Sequence, residues 1–328
     1  MPPAEPASFD GPSLLDLRPP PADGPAAELA ASLSSAQASI APKFFYDPLG
    51  SAVFAAICAL PEYYPTRTER AILQDHGDAI ARAAGRGCTL VDLGAGDCRK
   101  AESLFGLLAP SQYVAVDVSG DYLRDALQAL AQRHRGIDMT GVAADFSAGL
   151  ELPPAVGRRR LFFYPGSSIG NFEPSAAGAF LSGLRAAMDE EGGLLLGVDL
   201  VKPAAVLQAA YDDAVGLTAA FNRNALLAAN RVLGANFDPR GWDHVALWNA
   251  QASRVEMHLE ARRAVEVRWP GGSRAFAAGE RIHTENSYKY TPDAIEGLLA
   301  AAGLRCTHRW LDPQGWFAVL LARPQKRS

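Results

Sequence analysis

Cysteine is scarce: 328 residues carry only four, Cys58, Cys88, Cys98 and Cys306. None has the paired spacing that zinc or redox work needs, so they read as reduced thiols. The six histidines include no His-Glu-x-x-His, which leaves no metal signature. Long apolar runs are missing, and nothing approaches the ~20 residues of a membrane helix. The opening Met-Pro-Pro-Ala-Glu-Pro has neither the charged start nor the apolar core of a signal peptide, so none is expected. Basic runs are short as well. The formal net charge is −5, and Arg158-Arg159-Arg160 and Lys326-Arg327 fit solvated ends of elements better than a nucleic-acid footprint. What is present is ordinary for a globular enzyme: 48% hydrophobic and 20% charged residues. The length suits one large α/β unit with an elaboration, or two modest domains.

Residues 1–27 are rich in Pro, Ala and Gly and are expected to form a loose arm. An aromatic, turn-forming segment follows, Lys43-Phe44-Phe45-Tyr46-Asp47-Pro48. Leu60-Pro61-Glu62-Tyr63-Tyr64-Pro65-Thr66-Arg67-Thr68-Glu69 then leads into a helix running to about Ala84, with Thr66 or Thr68 as its cap. Beyond it the alternation is regular. Strands are predicted at Thr89–Leu93, Tyr113–Asp117, Gly141–Ala144, Leu161–Tyr164 and Leu194–Asp199. Helices are predicted at Lys100–Ala109, Asp121–His134 and Pro174–Met188. Short apolar strands between helices predict a parallel sheet covered on both faces.

The alternation stops after Lys202-Pro203. Helical material over about 204–233 leads into strands at Val245–Asn249, Arg254–Arg262 and Val265–Trp269, with a hairpin at Gly272. These segments alternate polar and apolar residues, as antiparallel strands with one wet face do. A helix then starts at Thr291-Pro292 and stops at Gly303. Two strands, Arg305–Leu311 and Trp316–Leu321, are joined by a connection short enough to make them an antiparallel hairpin. The predicted fold is α/β: five parallel strands closing in an antiparallel hairpin, the class I methyltransferase plan, plus an inserted α+β lobe. The expected layout is a cofactor domain over 66–201 and 290–328, with a substrate lobe over 28–65 and 202–289.

Gly94-Ala95-Gly96 follows the first buried strand. A dinucleotide site wants a third small residue three positions on, to let helix and strand pack closely. That position is Arg99. S-adenosylmethionine carries no phosphate but does have a carboxylate, an ammonium and a sulfonium. A bare glycine turn at Gly94 lets the backbone approach it, and Lys100 can meet its carboxylate. Asp117, about 20 residues on, can bind both ribose hydroxyls. Asp145 can accept from an adenine amino group, while Phe146 supplies an apolar wall. Asp117 and Asp145 can equally cap the helices that follow them.

Three more segments carry a specific likeness: Glu62-Tyr63-Tyr64-Pro65-Thr66-Arg67, Gly166-Ser167-Ser168-Ile169-Gly170-Asn171 and His283-Thr284-Glu285-Asn286-Ser287-Tyr288-Lys289-Tyr290. With Phe45-Tyr46-Asp47 and Ala210-Tyr211-Asp212-Asp213, the chain resembles the histidine-specific Nα-methyltransferase family of ergothioneine biosynthesis from about Pro42 onward. The resemblance implies an S-adenosylmethionine-dependent enzyme that adds three methyl groups to the α-amine of L-histidine, giving hercynine. It further implies that Gly94, Lys100, Asp117, Asp145 and Phe146 bind the cofactor. Tyr63, Asn171 and Tyr211 would hold the amino-acid part of histidine, and Glu285 and Ser287 its imidazole. Tyr46 would lie near the reacting amine and Met257 would line the side-chain pocket. The glycine turn departs from the family's commoner Gly-Ser-Gly-Thr wording. A cytoplasmic monomer is expected, without metal, membrane or nucleic-acid partner.

The residues permit that chemistry. Two apart on an extended segment, Glu285 and Ser287 share a face, while Asn286 points away. A neutral imidazole offers one donor and one acceptor, which match a carboxylate and a hydroxyl. The same pair also suits an incidental solvated strand edge. Asn171 can address a carboxylate and an amine, or merely occupy a turn. Tyr46, Tyr63 and Tyr211 can be core aromatics. Phe45 and Tyr46 are candidates for the aromatic face that a growing ammonium needs. No residue is an obvious dedicated base. Two other readings remain, an N-methyltransferase of another amino acid or biogenic amine and a catalytically silent cofactor-binding module.

Overall fold

The computed structural model describes residues 11–18, 24–146 and 149–325. From the N-terminus come β1 (Ser13–Asp16), α1 (Gly24–Ser34), α2 (Pro48–Ile57), α3 (Tyr64–Asp75) and α4 (Gly77–Ala84). The alternating section holds β2 (Thr89–Leu93), α5 (Arg99–Glu102), α6 (Phe105–Leu108), β3 (Gln112–Asp117), α7 (Gly120–Arg133) and β4 (Asp138–Ala143). It ends with β5 (Arg160–Tyr164), α8 (Pro174–Ala187) and β6 (Gly193–Asp199). The insertion comprises α9 (Ala204–Tyr211), α10 (Leu217–Leu233), β7 (Trp242–Asn249), β8 (Arg254–Ala261), β9 (Val265–Trp269), β10 (Gly272–Phe276) and β11 (Arg281–Tyr288). The chain closes with α11 (Pro292–Ala301), β12 (Leu304–Leu311) and β13 (Phe317–Pro324).

The main sheet has the order β1-β4-β3-β2-β5-β6-β13-β12. The five predicted strands β2 to β6 are parallel, and β13 inserts antiparallel between β6 and β12. This is the class I methyltransferase architecture. Its strands read as unbroken apolar runs because both faces are covered. Val91, Leu93, Phe162 and Leu194 pack with Phe180 and Leu181 of α8 and Leu299 of α11. Leu90, Leu161, Phe163 and Leu195 pack on the other face with Ile72, Ile80 and Leu123 of α3, α4 and α7. A third cluster joins α1, α2, α9 and α10 to β7, β8 and β11 through Leu29, Phe45, Phe221, Trp242 and Leu259.

Some sequence expectations need correction. In its described part the N-terminal arm is not loose: β1 pairs parallel with β4, and α1 begins at Gly24. The sheet thereby gains a sixth parallel strand whose sequence, Ser-Leu-Leu-Asp, is too short to show periodicity. Residues 1–10 and 19–23 of that arm lie outside the described residues. Neither Thr66 nor Thr68 caps α3, which starts earlier with proline in its first turn; Thr66 Oγ1 donates instead to Cys58 Sγ at 3.3 Å. That helix also breaks at His76. The predicted Lys100–Ala109 helix is two short turns, because its bonds tighten to the i−3 carbonyl (Leu104 N–H to Ala101 O, 2.9 Å). The helical material after Pro203 divides where the Asp213 carboxylate accepts from the N–H groups of Leu217 and Thr218, opening α10.

Candidate active site

The glycine turn leaves the carboxyl end of β2, on the edge where open parallel sheets offer their crevice. Gly94 and Gly96 have φ of +71° and +52°, which a side chain rarely tolerates. A Cβ on Gly94 would point at the Phe146 ring, 3.9 Å away. Phe146 itself packs edge-on against Tyr164 and lies tilted against Phe180, with centroids 5.9 and 6.0 Å away. Asp117, ending β3, receives Gly96 N–H on Oδ2 and Ser119 N–H on Oδ1, both at 3.0 Å. Its carboxylate thus ties the glycine turn to the start of α7, and each oxygen keeps a lone pair for a ligand. Asp145, just past β4, is exposed.

Lys100 does not stand alone. Its Nζ donates to Glu69 Oε2 at 2.7 Å, and Glu69 Oε1 accepts from Gly166 N–H at 2.8 Å. Glu69 is 1% exposed, on the buried face of α3 with Pro65 and Ile72. A Cβ on Gly197 would sit 2.0 Å from its Oε1, so that glycine makes room for the carboxylate. Sequence reasoning missed Glu69. The signal was a carboxylate at a core-facing helix position. The residues present therefore fit S-adenosylmethionine: a side-chain-free turn under Phe146, a strand-end carboxylate, and a cation held by a buried acid.

Glu285 and Ser287 share a face of β11, opposite Met257 and Val255 of β8. A bulge between His283 and Glu285 brings Ile282 onto that same face, with buried Thr284 donating to Met257 O at 2.9 Å. Asn286 points to the other side, where its amide donates to Glu173 Oε1 at 2.8 Å. Met257 is buried. Glu285 is half-buried, and desolvation pushes its pKa up to about 7 against the opposing pull of Lys289.

Behind this face lies a buried polar network. Tyr211 and Ser287 hydroxyls are 2.7 Å apart, and Lys289 Nζ donates to them at 2.9 and 2.8 Å. Lys289 also pairs with Asp199 Oδ2 at 2.8 Å. Asp199 ends β6 and further engages Tyr64 Oη at 2.6 Å and Lys202 Nζ at 2.5 Å. Burial disfavours the Lys289 charge, but Asp199 holds its pKa above the ordinary lysine value; for Lys202 burial wins and the pKa falls to about 8. Asp199, Lys202 and Lys289 also escaped the sequence reading, although a strand-end aspartate was the signal used for Asp117.

A group of aromatic rings stands beside this network. Tyr46 meets Phe54 and Phe221 edge-on, both at 5.7 Å. Tyr63 meets Phe54 at 6.0 Å and Tyr211 at 6.5 Å. Tyr46 is 45% exposed. Burial raises its hydroxyl pKa above the ordinary tyrosine value, and Glu285 adds to the rise. Phe45 does not offer the open aromatic face expected of it. It is wholly buried against Phe221 at 4.7 Å, a core ring, and Phe54 stands beside Tyr46 instead.

Asn171 is exposed at the end of a short 3-10 turn, Ser168–Asn171, after β5. That turn is locked in place. Ser167 Oγ accepts from Asp199 N–H at 2.9 Å, and a Cβ on Gly170 would meet Tyr288 O at 2.7 Å. The backbone of β11 therefore lies directly against the turn that carries Asn171. Among the described residues no three His, Cys, Asp or Glu side chains are placed to hold a metal, and no helix is long and apolar enough to cross a membrane.

The family model for histidine-specific, SAM-dependent methyltransferases matches residues 25–324. The histidine N-alpha-methyltransferase of Mycolicibacterium smegmatis is 44% identical, over 90% of this chain and 93% of that protein. The protein of the same name from Mycobacterium tuberculosis is 42% identical, over 87% of this chain and 90% of that protein. Ergothioneine biosynthesis protein 1 of Neurospora crassa is 28% identical over 85% of this chain, which spans 32% of that longer protein. A sheet ending in an antiparallel hairpin, a glycine turn at its carboxyl edge and a match over nearly the whole length place this chain in the family of histidine-specific, SAM-dependent methyltransferases.

Proposed function

We propose that the protein methylates the α-amino group of L-histidine three times, yielding hercynine, the first step of ergothioneine biosynthesis. The observation supporting this reading is the shared face of Glu285 and Ser287 beside Met257, tied to Lys100 and Glu69 through the turn after β5, whose Gly166 N–H meets Glu69 and whose Gly170 lies against Tyr288 O. On this reading the segments 66–201 and 290–328 form the cofactor unit, and 28–65 with 202–289 the substrate lobe.

S-adenosylmethionine, when bound, supplies an electrophilic methyl group on a sulfonium. Gly94, Asp117, Asp145 and Phe146 would hold its adenosyl part, and Lys100 its carboxylate. The chain's own task is positioning, which can supply much of the rate of such a transfer. Glu285 accepts from one imidazole nitrogen and Ser287 addresses the other; Tyr211, expected at the amino-acid part, bonds Ser287 at 2.7 Å and so bears on the ring end as well. Met257 closes the apolar side of the ring. Tyr63 and Asn171 orient the carboxylate and amine, and the exposed Asn171 amide is available for that role. Tyr46 and Phe54 present aromatic faces to the amine as it gains methyl groups and becomes a permanent cation. Each transfer requires a lone pair on nitrogen, so a proton must leave first. Burial keeps the Tyr46 and Tyr63 hydroxyls protonated. They can therefore relay a proton to solvent but do not act as standing bases.

Purified protein incubated with S-adenosylmethionine and histidine is expected to give one-, two- and three-methyl products by mass spectrometry. Absence of any methylated histidine, with methyl transfer to another amine, would overturn the acceptor assignment and leave the fold untouched.

A further inference from the structure

The proposed grip on the imidazole does not by itself say which way the hydroxyl hydrogens point. The buried cation behind it constrains them. Lys289 Nζ has three hydrogens, and all are engaged: on Asp199 Oδ2 at 2.8 Å, Tyr211 Oη at 2.9 Å and Ser287 Oγ at 2.8 Å. An ammonium has no lone pair, so both hydroxyls must accept from it. Tyr211 and Ser287 also bond each other at 2.7 Å. Two hydroxyls hold two hydrogens, and one is consumed between them. With Tyr211 as the donor, both Ser287 lone pairs are filled and the serine hydrogen is left over. With the roles exchanged, the tyrosine hydrogen is left over. Either way one hydrogen has no partner inside the network.

We propose that Lys289 is a positioning residue that turns the Tyr211–Ser287 hydroxyl pair into a hydrogen-bond donor towards the bound side chain, so that the pocket selects a ring with an unprotonated nitrogen. This rests on the reading of Glu285 and Ser287 as the imidazole partners. Glu285, on the same face, supplies the acceptor for the ring's N–H. One donor and one acceptor match a neutral imidazole and mismatch an imidazolium, which has two N–H groups. Lys289 is 3% exposed, so it acts through the hydroxyls and does not touch the ligand. Its backbone is fixed as well: Lys289 N–H donates to Ser253 O at 2.8 Å, and its carbonyl accepts from Ser253 Oγ at 2.7 Å. Asp199 sits at the end of a core strand, so the cation's place is set by the main sheet and its effect is felt in the lobe.

Calorimetric titration with histidine and with β-(2-thienyl)alanine, whose ring lacks an acceptor nitrogen, tests this in the wild type and in Lys289→Met. The variant is expected to lose histidine affinity about 10-fold, the worth of one hydrogen bond to a buried group. Its affinity for the thienyl analogue should barely change. A variant that keeps the wild-type ratio between the two ligands, while the wild type still methylates histidine, overturns the proposal and spares the functional reading. Should Lys289→Met fail to fold, nitrogen-15 NMR of ring-labelled histidine bound to the wild type decides. One protonated and one bare ring nitrogen is expected, and a doubly protonated ring overturns the role given to Lys289. A wild type that neither binds nor methylates histidine removes the functional reading and this inference with it.

Discussion

At Glu285 two demands meet. On the proposed reading the side chain must be desolvated enough to read a ring nitrogen, yet ionised enough to accept from it. Burial that lifts its pKa to about 7 places it near that balance. Glu285→Ala is expected to raise KM for histidine roughly 10-fold or more, since a buried N–H left unpaired costs ~1–3 kcal/mol. Cofactor affinity measured by calorimetry should stay unchanged. An unmoved KM would point to a different acceptor. The neighbours Phe45 and Tyr46 make a second contrast. Phe45 is fully buried, so Phe45→Ala should cost ~3–5 kcal/mol in denaturant unfolding. Tyr46 is 45% exposed, so Tyr46→Ala should cost far less stability but slow methylation, the later transfers most. Equal unfolding midpoints for the two variants would contradict this division of labour.

At the scale of elements, the contact between the turn after β5 and strand β11 fixes the geometry of the site. Gly170 is the hinge of that contact, because a Cβ there would approach Tyr288 O to 2.7 Å, and a backbone atom cannot swing aside. Gly170→Ala should therefore displace β11 from the turn. We expect a loss of ~1–3 kcal/mol in stability, of the size seen on overpacking. Histidine affinity should weaken while cofactor affinity holds, since Gly94, Asp117 and Phe146 sit on other loops. Calorimetry with each ligand separates the two, and equal losses for both would count against this assignment. Much at this scale was legible. The five parallel strands and the closing hairpin follow from short apolar runs bounded by turn residues, and each was found within a few residues of its predicted place. The failures were local competitions that composition does not reveal: an early proline start displaced the threonine caps of α3, and β1 is too short to carry a pattern.

For the whole molecule, pH links stability to the site. Folding raises the Glu285 pKa from 4.5 to about 7. Below about 4.5 it is protonated in both states, and its protonated form suits the fold. As pH rises to about 7 the unfolded chain ionises first, and this contribution is lost. Asp92, buried in β2, is raised from 3.8 to about 7 and adds a loss of the same sign. The unfolding midpoint of ligand-free Glu285→Gln should therefore gain on the wild type between about pH 4.5 and pH 7. A difference constant across that range would show that Glu285 does not titrate as its surroundings imply.

The amino-acid sequence alone determined the order of strands and helices, the glycine turn at the end of β2, and the shared face of Glu285 and Ser287. All of these depend on residues within a few positions of each other, where periodicity and turn chemistry act. Tertiary structure alone decided that Glu69 holds Lys100, that Phe45 is a core ring against Phe221, and that Lys289 meets Asp199. Those pairs lie far apart along the chain and leave no periodic trace. A buried charge meets its partner through the packing of distant elements, which no local pattern along the chain encodes.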